Sequence, residues 1–272
     1  MADPTDTASE AGLAAVLALG ALEGLTEFLP VSSTGHLILA VDHFRLTLPP
    51  ERVFEVAIQS GAIMAVCVVY FTRLRDVVLG LQRDSPARAF VRNVVLTSLP
   101  AAILGFLFHE AILTALFDPR VVAVALILGG LAMLATELIR TPVRFTDVSD
   151  ISPSVAIAVG VAQCLALIPG ISRSAATIIG ALLVGVERRT AAAYSFFVAL
   201  PVLLGATGLQ LTRTADSLRA DDVVVLTAGG VAAFVFAVLS IQVMIAVVAR
   251  IGFAPFAIYR IALGSLALLV VW

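Results

Sequence analysis

The chain has 272 residues, of which 60% are hydrophobic and 13% are charged, and its formal net charge is -2. Soluble domains carry about a quarter charged residues, so this composition excludes a soluble globular protein and indicates an all-α integral membrane protein. All 17 basic residues are arginine, and the nearly balanced charge gives no sign of a nucleic-acid partner.

Apolar runs occur along the whole chain, and six of them are long enough to cross a bilayer, which takes about 20 helical residues. Three shorter runs are broken by proline and glycine, which is typical of re-entrant helices, and a fourth short helix is expected at 34–41. The long runs lie at roughly 53–71, 94–109, 121–139, 190–211, 223–249 and 255–272, and the short ones near 11–22, 154–168 and 175–186.

The first polar cluster, EGLTEFLPVSSTGH at 23–36, follows the first short run. Glu23 and Glu27 are four residues apart, so they lie one turn apart on one helix face. Two carboxylates this close in a low dielectric do not both ionise without help. Either they share a proton, or a divalent cation such as Mg²⁺ or Ca²⁺ lies between them. The alternative is a pair of water-exposed residues at a helix end.

Hydroxyl groups follow Pro30 in the same cluster, at Ser32, Ser33 and Thr34. They begin the next helix, where free backbone N–H groups and the helix dipole favour an anion. One hydroxyl can serve as a simple N-cap. His36 lies three residues after Ser33, within reach as a proton partner.

The second polar cluster, PGISRSAAT at 169–177, has a similar layout but contains a cation. Arg173 stands at a helix N-terminus, where its planar guanidinium matches phosphate. Thr177 lies one turn further on the same face. Snorkelling of Arg173 to the membrane interface is the alternative, and its place away from the loop arginines argues against it.

The two clusters align with each other at a constant sequence separation, which we call the repeat offset. It pairs Glu23 with Gln163, Ser32 with Ser172, and Ser33 with Arg173. The match indicates an internal duplication within one membrane domain, 1–272. The first repeat spans 11–139 and the second 151–272. Each holds one re-entrant helix pair and three spans, and an odd number of spans reverses the second half, giving an inverted-topology repeat.

Loop arginines are distributed unequally between the two faces of this topology, ten against five. Because cytoplasmic loops collect positive charge, the 72–93 loop is predicted to be cytoplasmic and the first re-entrant pair to open to the outside. The ten are Arg73, Arg75, Arg83, Arg88, Arg92, Arg140, Arg144, Arg188, Arg189 and Arg250, and the five are Arg45, Arg52, Arg120, Arg213 and Arg219.

The residue types of the two clusters together indicate a reaction. Arginine and helix N-termini require an oxyanion, and a site at membrane depth requires a lipid tail. Paired acids beside a serine favour bond cleavage over binding alone. The residues therefore predict hydrolysis of a lipid-linked phosphate or diphosphate, without naming the lipid.

Four segments resemble the signature motifs of the undecaprenyl-diphosphate phosphatases of the bacitracin-resistance type. They are the two clusters, FEVAIQSGAI at 54–63 and GFAPFAIYRIALG at 252–264. The resemblance implies inverted repeats with six transmembrane helices and two re-entrant pairs. It also implies conversion of undecaprenyl diphosphate to undecaprenyl phosphate, which recycles the carrier for peptidoglycan synthesis. The resemblance further implies bacitracin resistance and a place in the inner membrane, and the arginine distribution predicts that the site faces the periplasm.

The resemblance also implies roles for eight residues. Ser33 is expected to be the nucleophile and Glu27 its base, whereas Glu23 and His36 are expected to support proton transfer or a divalent cation. A divalent cation, Mg²⁺ or Ca²⁺, is expected at the two glutamates. The diphosphate is held by Arg173, Ser172, Thr177 and Ser32.

The two alternative functions are a lipid phosphatase of another family and a lipid transporter. The other large family of lipid phosphatases requires a lysine in its first motif, and this chain has no lysine. A polyprenyl-phosphate flippase or transporter has the same inverted-repeat architecture, but a pure carrier does not need Glu23, Glu27 and Ser33 together. The sequence leaves the oligomeric state open, a homodimer included.

Overall fold

The computed structural model describes residues 4–45, 51–82, 85–139, 141–214 and 222–271. These residues form helices joined by short turns, with a single isolated β-bridge between Phe145 and Val186. The predicted all-α class is therefore confirmed. The helices are α1 (Pro4–Glu27), α2 (Ser33–Phe44), α3 (Glu51–Val69), α4 (Phe71–Gly80), α5 (Ser85–Leu107), α6 (His109–Leu116), α7 (Pro119–Leu138), α8 (Pro153–Gln163), α9 (Arg173–Leu183), α10 (Arg188–Thr214), α11 (Asp222–Ile251) and α12 (Ala254–Val271).

Within the described residues, four helices are long and apolar enough to cross a membrane. A fifth span arises if α3 and α4, which meet at a bend of 76°, are counted as one. Helix α12 is apolar but shorter, so the count of six spans stays a prediction. The qualifying segments are Ser85–Leu107, Pro119–Leu138, Arg188–Gln210 and Leu226–Val248.

Helices α1 and α8 differ from their predicted limits. Helix α1 runs over Pro4–Glu27, well beyond the apolar run at 11–22, because its polar first turns continue the same helix. Helix α8 ends at Gln163 and is extended by a 3₁₀ turn at Cys164–Leu167, before the Pro169 that was expected to end it. A 3₁₀ turn commonly closes a helix in this way.

Small residues let the polar helices approach the spans closely. Helix α1 packs on α11, and a Cβ added at Gly24 would lie 2.2 Å from the Ala233 carbonyl oxygen. In the second half, α8 packs on α5, and a Cβ at Gly160 would lie 2.7 Å from the Thr97 carbonyl oxygen. Close backbone approach through glycine is the usual way in which membrane helices associate. It fixes Glu23, the neighbour of Gly24, inside the protein.

Polar contacts connect several loops and helix ends at one end of the bundle. Arg73 lies 3.5 Å from Asp147, in the segment between α7 and α8. At the end of α7, Glu137 pairs with Arg188 and accepts a 2.8 Å hydrogen bond from the Phe253 backbone N–H. Arg73 and Arg188, which the topology assigns to the same face, therefore both contact the end of α7 or the segment that follows it.

Candidate active site

Two turns, one between α1 and α2 and one before α9, share an unusual backbone conformation at one serine each. We call them the first and second tips, residues 28–33 and 168–173. Ser32 and Ser172 have φ of 74° and 76°, an uncommon conformation for a residue with a Cβ. Their hydroxyls accept hydrogen bonds from the N–H groups of Gly35 at 3.3 Å and Ala175 at 3.2 Å. Both serines are thus N-caps, and the repeat offset extends to local backbone structure.

A hydrogen-bonded chain of three side chains joins the tips. Ser33 donates its hydroxyl hydrogen to Oε2 of Glu27. Oε1 of the same carboxylate accepts a 2.8 Å bond from Nη2 of Arg173, and the side chains of Glu27 and Arg173 are only 9% and 12% exposed. A hydroxyl bonded to a carboxylate that a third group orients is the arrangement of an activated nucleophile.

Arg173 is also hydrogen-bonded through its other terminal nitrogen. Its Nη1 donates to the Ser195 carbonyl oxygen at 2.8 Å. Its Nε is buried and has no hydrogen-bond partner among the described residues, so one donor of the guanidinium is unused. Snorkelling to the interface does not occur, because Arg173 points at the first tip.

Glu23 completes the acidic side of the site. It is 2% exposed and lies one turn before Glu27. The helix-end alternative, a pair of water-exposed glutamates, is therefore wrong. The positive charge nearest these carboxylates in the described structure is the Arg173 guanidinium.

His36 makes no hydrogen bond with the Ser33 hydroxyl. Its Nδ1 lies 2.7 Å from the Ser32 carbonyl oxygen, and its Nε2 lies 2.8 Å from the Tyr259 hydroxyl. Because a carbonyl only accepts, Nδ1 carries a hydrogen, and in the neutral ring Nε2 accepts from Tyr259. The rings also stack, 5.6 Å apart and nearly parallel. Both ring nitrogens are therefore engaged, and neither bonds to Ser33.

The remaining predicted residues are tied into the second tip. Thr177 is 1% exposed and bonds to Oγ of Ser195 at 2.8 Å. Ser172 lies 2.9 Å from the Ser174 hydroxyl, which donates to the Leu29 carbonyl oxygen of the first tip at 2.9 Å. These hydroxyls form hydrogen bonds within the protein, and their proposed contact with phosphate stays a prediction.

Three residues of the site had no role in the sequence analysis. Ser195 aligns at the repeat offset with Glu55, a charged residue in the FEVAIQSGAI segment. This alignment is the sequence signal that could have identified Ser195. Tyr259 and Arg260 lie within GFAPFAIYRIALG, and an arginine inside an apolar helix is itself a functional signal.

Comparison with known proteins places the chain in a family. The family described as "Bacitracin resistance protein BacA" matches residues 16–266. The Undecaprenyl-diphosphatase of Parvibaculum lavamentivorans is 47% identical over 251 residues, 92% of this chain and 94% of the relative. That of Sphingopyxis alaskensis is 48% identical over 258 residues, 94% and 97% of the two chains. Undecaprenyl-diphosphatase 1 of Agrobacterium fabrum is 46% identical over 253 residues, 93% and 94%. Because the match covers both tips and the helices that carry them, the chain belongs to the BacA family of bacitracin resistance proteins.

Proposed function

We propose that this protein hydrolyses undecaprenyl diphosphate to undecaprenyl phosphate and inorganic phosphate, which returns the lipid carrier to peptidoglycan synthesis and confers bacitracin resistance. The observation that carries the proposal is the Ser33–Glu27–Arg173 chain, inside an apolar helical bundle. The names of the relatives supply the lipid. A polyprenyl diphosphate presents its anionic head at such a site while its tail stays in the bilayer.

Each of these three hydrogen-bonded side chains has one task in this reaction. Glu27 takes the proton of Ser33, whose oxygen attacks the terminal phosphorus of the diphosphate. The bond from that phosphorus to the bridging oxygen breaks, and undecaprenyl phosphate leaves with the bond's electron pair. Water then attacks the serine phosphate, releases inorganic phosphate and restores the hydroxyl. Arg173 stabilises negative charge on the transferred group, as such guanidinium clamps do in phosphoryl transfer.

A divalent cation fits this site as a partner of the substrate. Among the described residues, no group of three or more His, Cys, Asp or Glu side chains could hold a metal alone. Mg²⁺ is commonly bound by one or two carboxylates together with substrate phosphates. Glu23 and Glu27 would hold it on the protein side. When bound, the cation would neutralise phosphate charge.

The first prediction concerns the substrate. The purified protein should release phosphate from undecaprenyl diphosphate in detergent and none from undecaprenyl monophosphate, because only the diphosphate has an anhydride bond to break. Phosphate release is measured across polyprenyl diphosphates of different chain length, each with and without EDTA. Release should fall at least about tenfold in EDTA and return with Mg²⁺ or Ca²⁺, given the several kcal/mol that a metal contributes to charge stabilisation.

Two results would contradict these statements separately. No release from any lipid diphosphate, with either cation present, would reject the phosphatase. Full release in EDTA would reject the cation and leave the serine chemistry in place.

The finer architecture belongs to the same proposal: a single membrane domain at 1–272 with six transmembrane helices, two re-entrant pairs and inverted repeats at 11–139 and 151–272. It is supported by the paired serines with positive φ and by matching helix contacts, since α1 packs on α11 as α8 packs on α5. The site lies in the inner membrane and opens to the periplasm.

The second prediction tests this orientation. A cysteine at Arg88, an exposed position at the start of α5 within the predicted 72–93 loop, should resist an impermeant thiol reagent added outside intact cells, because the arginine bias assigns that loop to the cytoplasm. A cysteine at Thr114, exposed beyond the opposite end of α5, should react. Both variants are made with Cys67 and Cys164 replaced by serine. Labelling at Arg88 but not at Thr114 would invert the topology.

A further inference from the structure

Arg260 is the largest fully buried side chain among the described residues, with 0% exposure, and it bonds to both tips. Its Nη1 donates to the Pro30 carbonyl oxygen at 3.2 Å and its Nη2 to the Gly170 carbonyl oxygen at 2.8 Å. A longer contact of 3.5 Å joins Nη2 to the Ala125 carbonyl oxygen on α7. One planar group thus binds backbone from α7 and from both halves of the site.

The two tip carbonyls occupy equivalent positions. Pro30 and Gly170 are separated by the repeat offset, and each lies two residues before a serine with positive φ. A guanidinium presents its donors in a fixed fork, so two acceptors bound by one fork are held at a fixed spacing. The spacing set by Arg260 therefore acts on the same atoms of both tips.

This placement suggests a role distinct from that of Arg173. Building on the phosphatase function above, we propose that Arg260 is a positioning residue that fixes the two tips at the separation at which Arg173 reaches Glu27. It acts through the tip backbones, three residues before Ser33 and three before Arg173.

Stability alone does not explain an arginine at this position. Burying an ion costs several kcal/mol even after relaxation, and buried ionic groups can often be replaced by apolar side chains without loss of stability. Among the described residues no carboxylate pairs with Arg260, and its Nε has no partner. Its polar contacts are with backbone carbonyls, most directly those of the tips. The free-energy cost of burying Arg260 is explained if its side chain is needed to hold the tips at a fixed separation.

The opposing helix is shaped to admit this side chain. A Cβ added at Gly129 on α7 would lie 2.0 Å from Nη2 of Arg260 and 2.8 Å from its Cζ. Gly129→Ala therefore displaces the guanidinium while leaving Arg260 in the sequence. Gly205→Ala on α10 is the matched control, because nothing lies within 4 Å of the added Cβ.

The test measures tip separation and turnover on the same variants. Nitroxide labels at Leu25 and Leu165, two exposed positions that match at the repeat offset beside the tips, report the separation by pulsed electron–electron resonance, with Cys67 and Cys164 replaced. Arg260→Met and Gly129→Ala should each broaden the distance distribution. Both should lower kcat by about 100-fold with little change in KM, the expected cost of misplacing reacting groups by about 1 Å. Arg260→Lys, which keeps the charge but not the fork, should recover only part of both losses.

Distances and kcat that stay at the wild-type values in Arg260→Met and in Gly129→Ala would overturn the proposal. So would a fall in kcat with an unchanged distance distribution, which would assign Arg260 to the chemistry. If Arg260→Met does not fold, Gly129→Ala against Gly205→Ala decides. If the wild type releases no phosphate, the phosphatase function fails, and the distance measurement still decides whether Arg260 holds the tips.

Discussion

Alanine at position 33 should abolish phosphate release from undecaprenyl diphosphate, with kcat at least about 10³-fold below wild type, as is usual when a nucleophile is removed. Ser33→Ala removes the hydroxyl that donates to Glu27 and leaves the Glu27–Arg173 pair in place. Lipid binding should therefore persist while turnover is lost. Phosphate release and KM are measured on purified protein, with thermal unfolding as the check on folding.

A second serine provides the control for this variant. Ser98 is buried like Ser33 but donates only to the Val94 carbonyl oxygen of its own helix, so Ser98→Ala should keep wild-type turnover. If Ser33→Ala and Arg173→Ala both release phosphate at the wild-type rate, the site is assigned wrongly. In that case a carrier of polyprenyl phosphate becomes the better explanation of the fold.

Removing the guanidinium at position 173 should have an effect of similar size. Arg173→Ala is expected to lower kcat/KM by at least about 10³-fold, because the cation proposed to stabilise the transferred phosphate is also the partner of Glu27, and both roles are lost together. Arg173→Lys should recover little, since an ammonium group does not reproduce the planar fork that reaches Glu27 and Ser195. Arg188→Ala, which breaks a more exposed pair with Glu137, should leave turnover unchanged.

Loss of folding must be separated from loss of chemistry in this variant. Leaving Glu27 charged and alone in the interior costs about 3–5 kcal/mol of stability, so Arg173→Ala should also unfold at a lower temperature. The double variant Arg173→Met with Glu27→Gln removes the charge imbalance. It should regain thermal stability and stay inactive. A double variant that regains phosphate release would show that Arg173 serves only to support the fold.

The local features of this protein could be predicted from its sequence. Apolar runs give the main helices because a bilayer leaves no other partner for the backbone. The polar clusters stand out for the same energetic reason, and the repeat offset relates the two tips before any coordinates are known. The pairing of Glu27 with Arg173 was not predicted, because the sequence assigned Arg173 to phosphate and the two glutamates to a shared proton or a cation.

The remaining contacts depend on parts of the chain that are far apart. Tyr259 meets His36 from 223 residues away, so the spacing between Ser33 and His36 favoured a contact that the fold does not make. Thr177 shares a face with Arg173, but its hydroxyl bonds to Ser195, which only the packing of α9 on α10 reveals. Helix limits were missed where polar turns continue an apolar helix, as in α1.

The two tips divide their similarity in a definite way. Their backbones agree in the positive φ of Ser32 and Ser172 and in the carbonyls offered to Arg260. Their side chains diverge one residue later, at Ser33 and Arg173. If the tips were identical, two serines or two arginines would face each other. Two serines would lack a cation for the phosphate, and two arginines would lack a nucleophile. The repeated main chain brings the two tips together. The side chains that differ between the halves, Ser33 against Arg173 and Glu27 against Leu167, place the candidate nucleophile and its base in one half and the cation in the other.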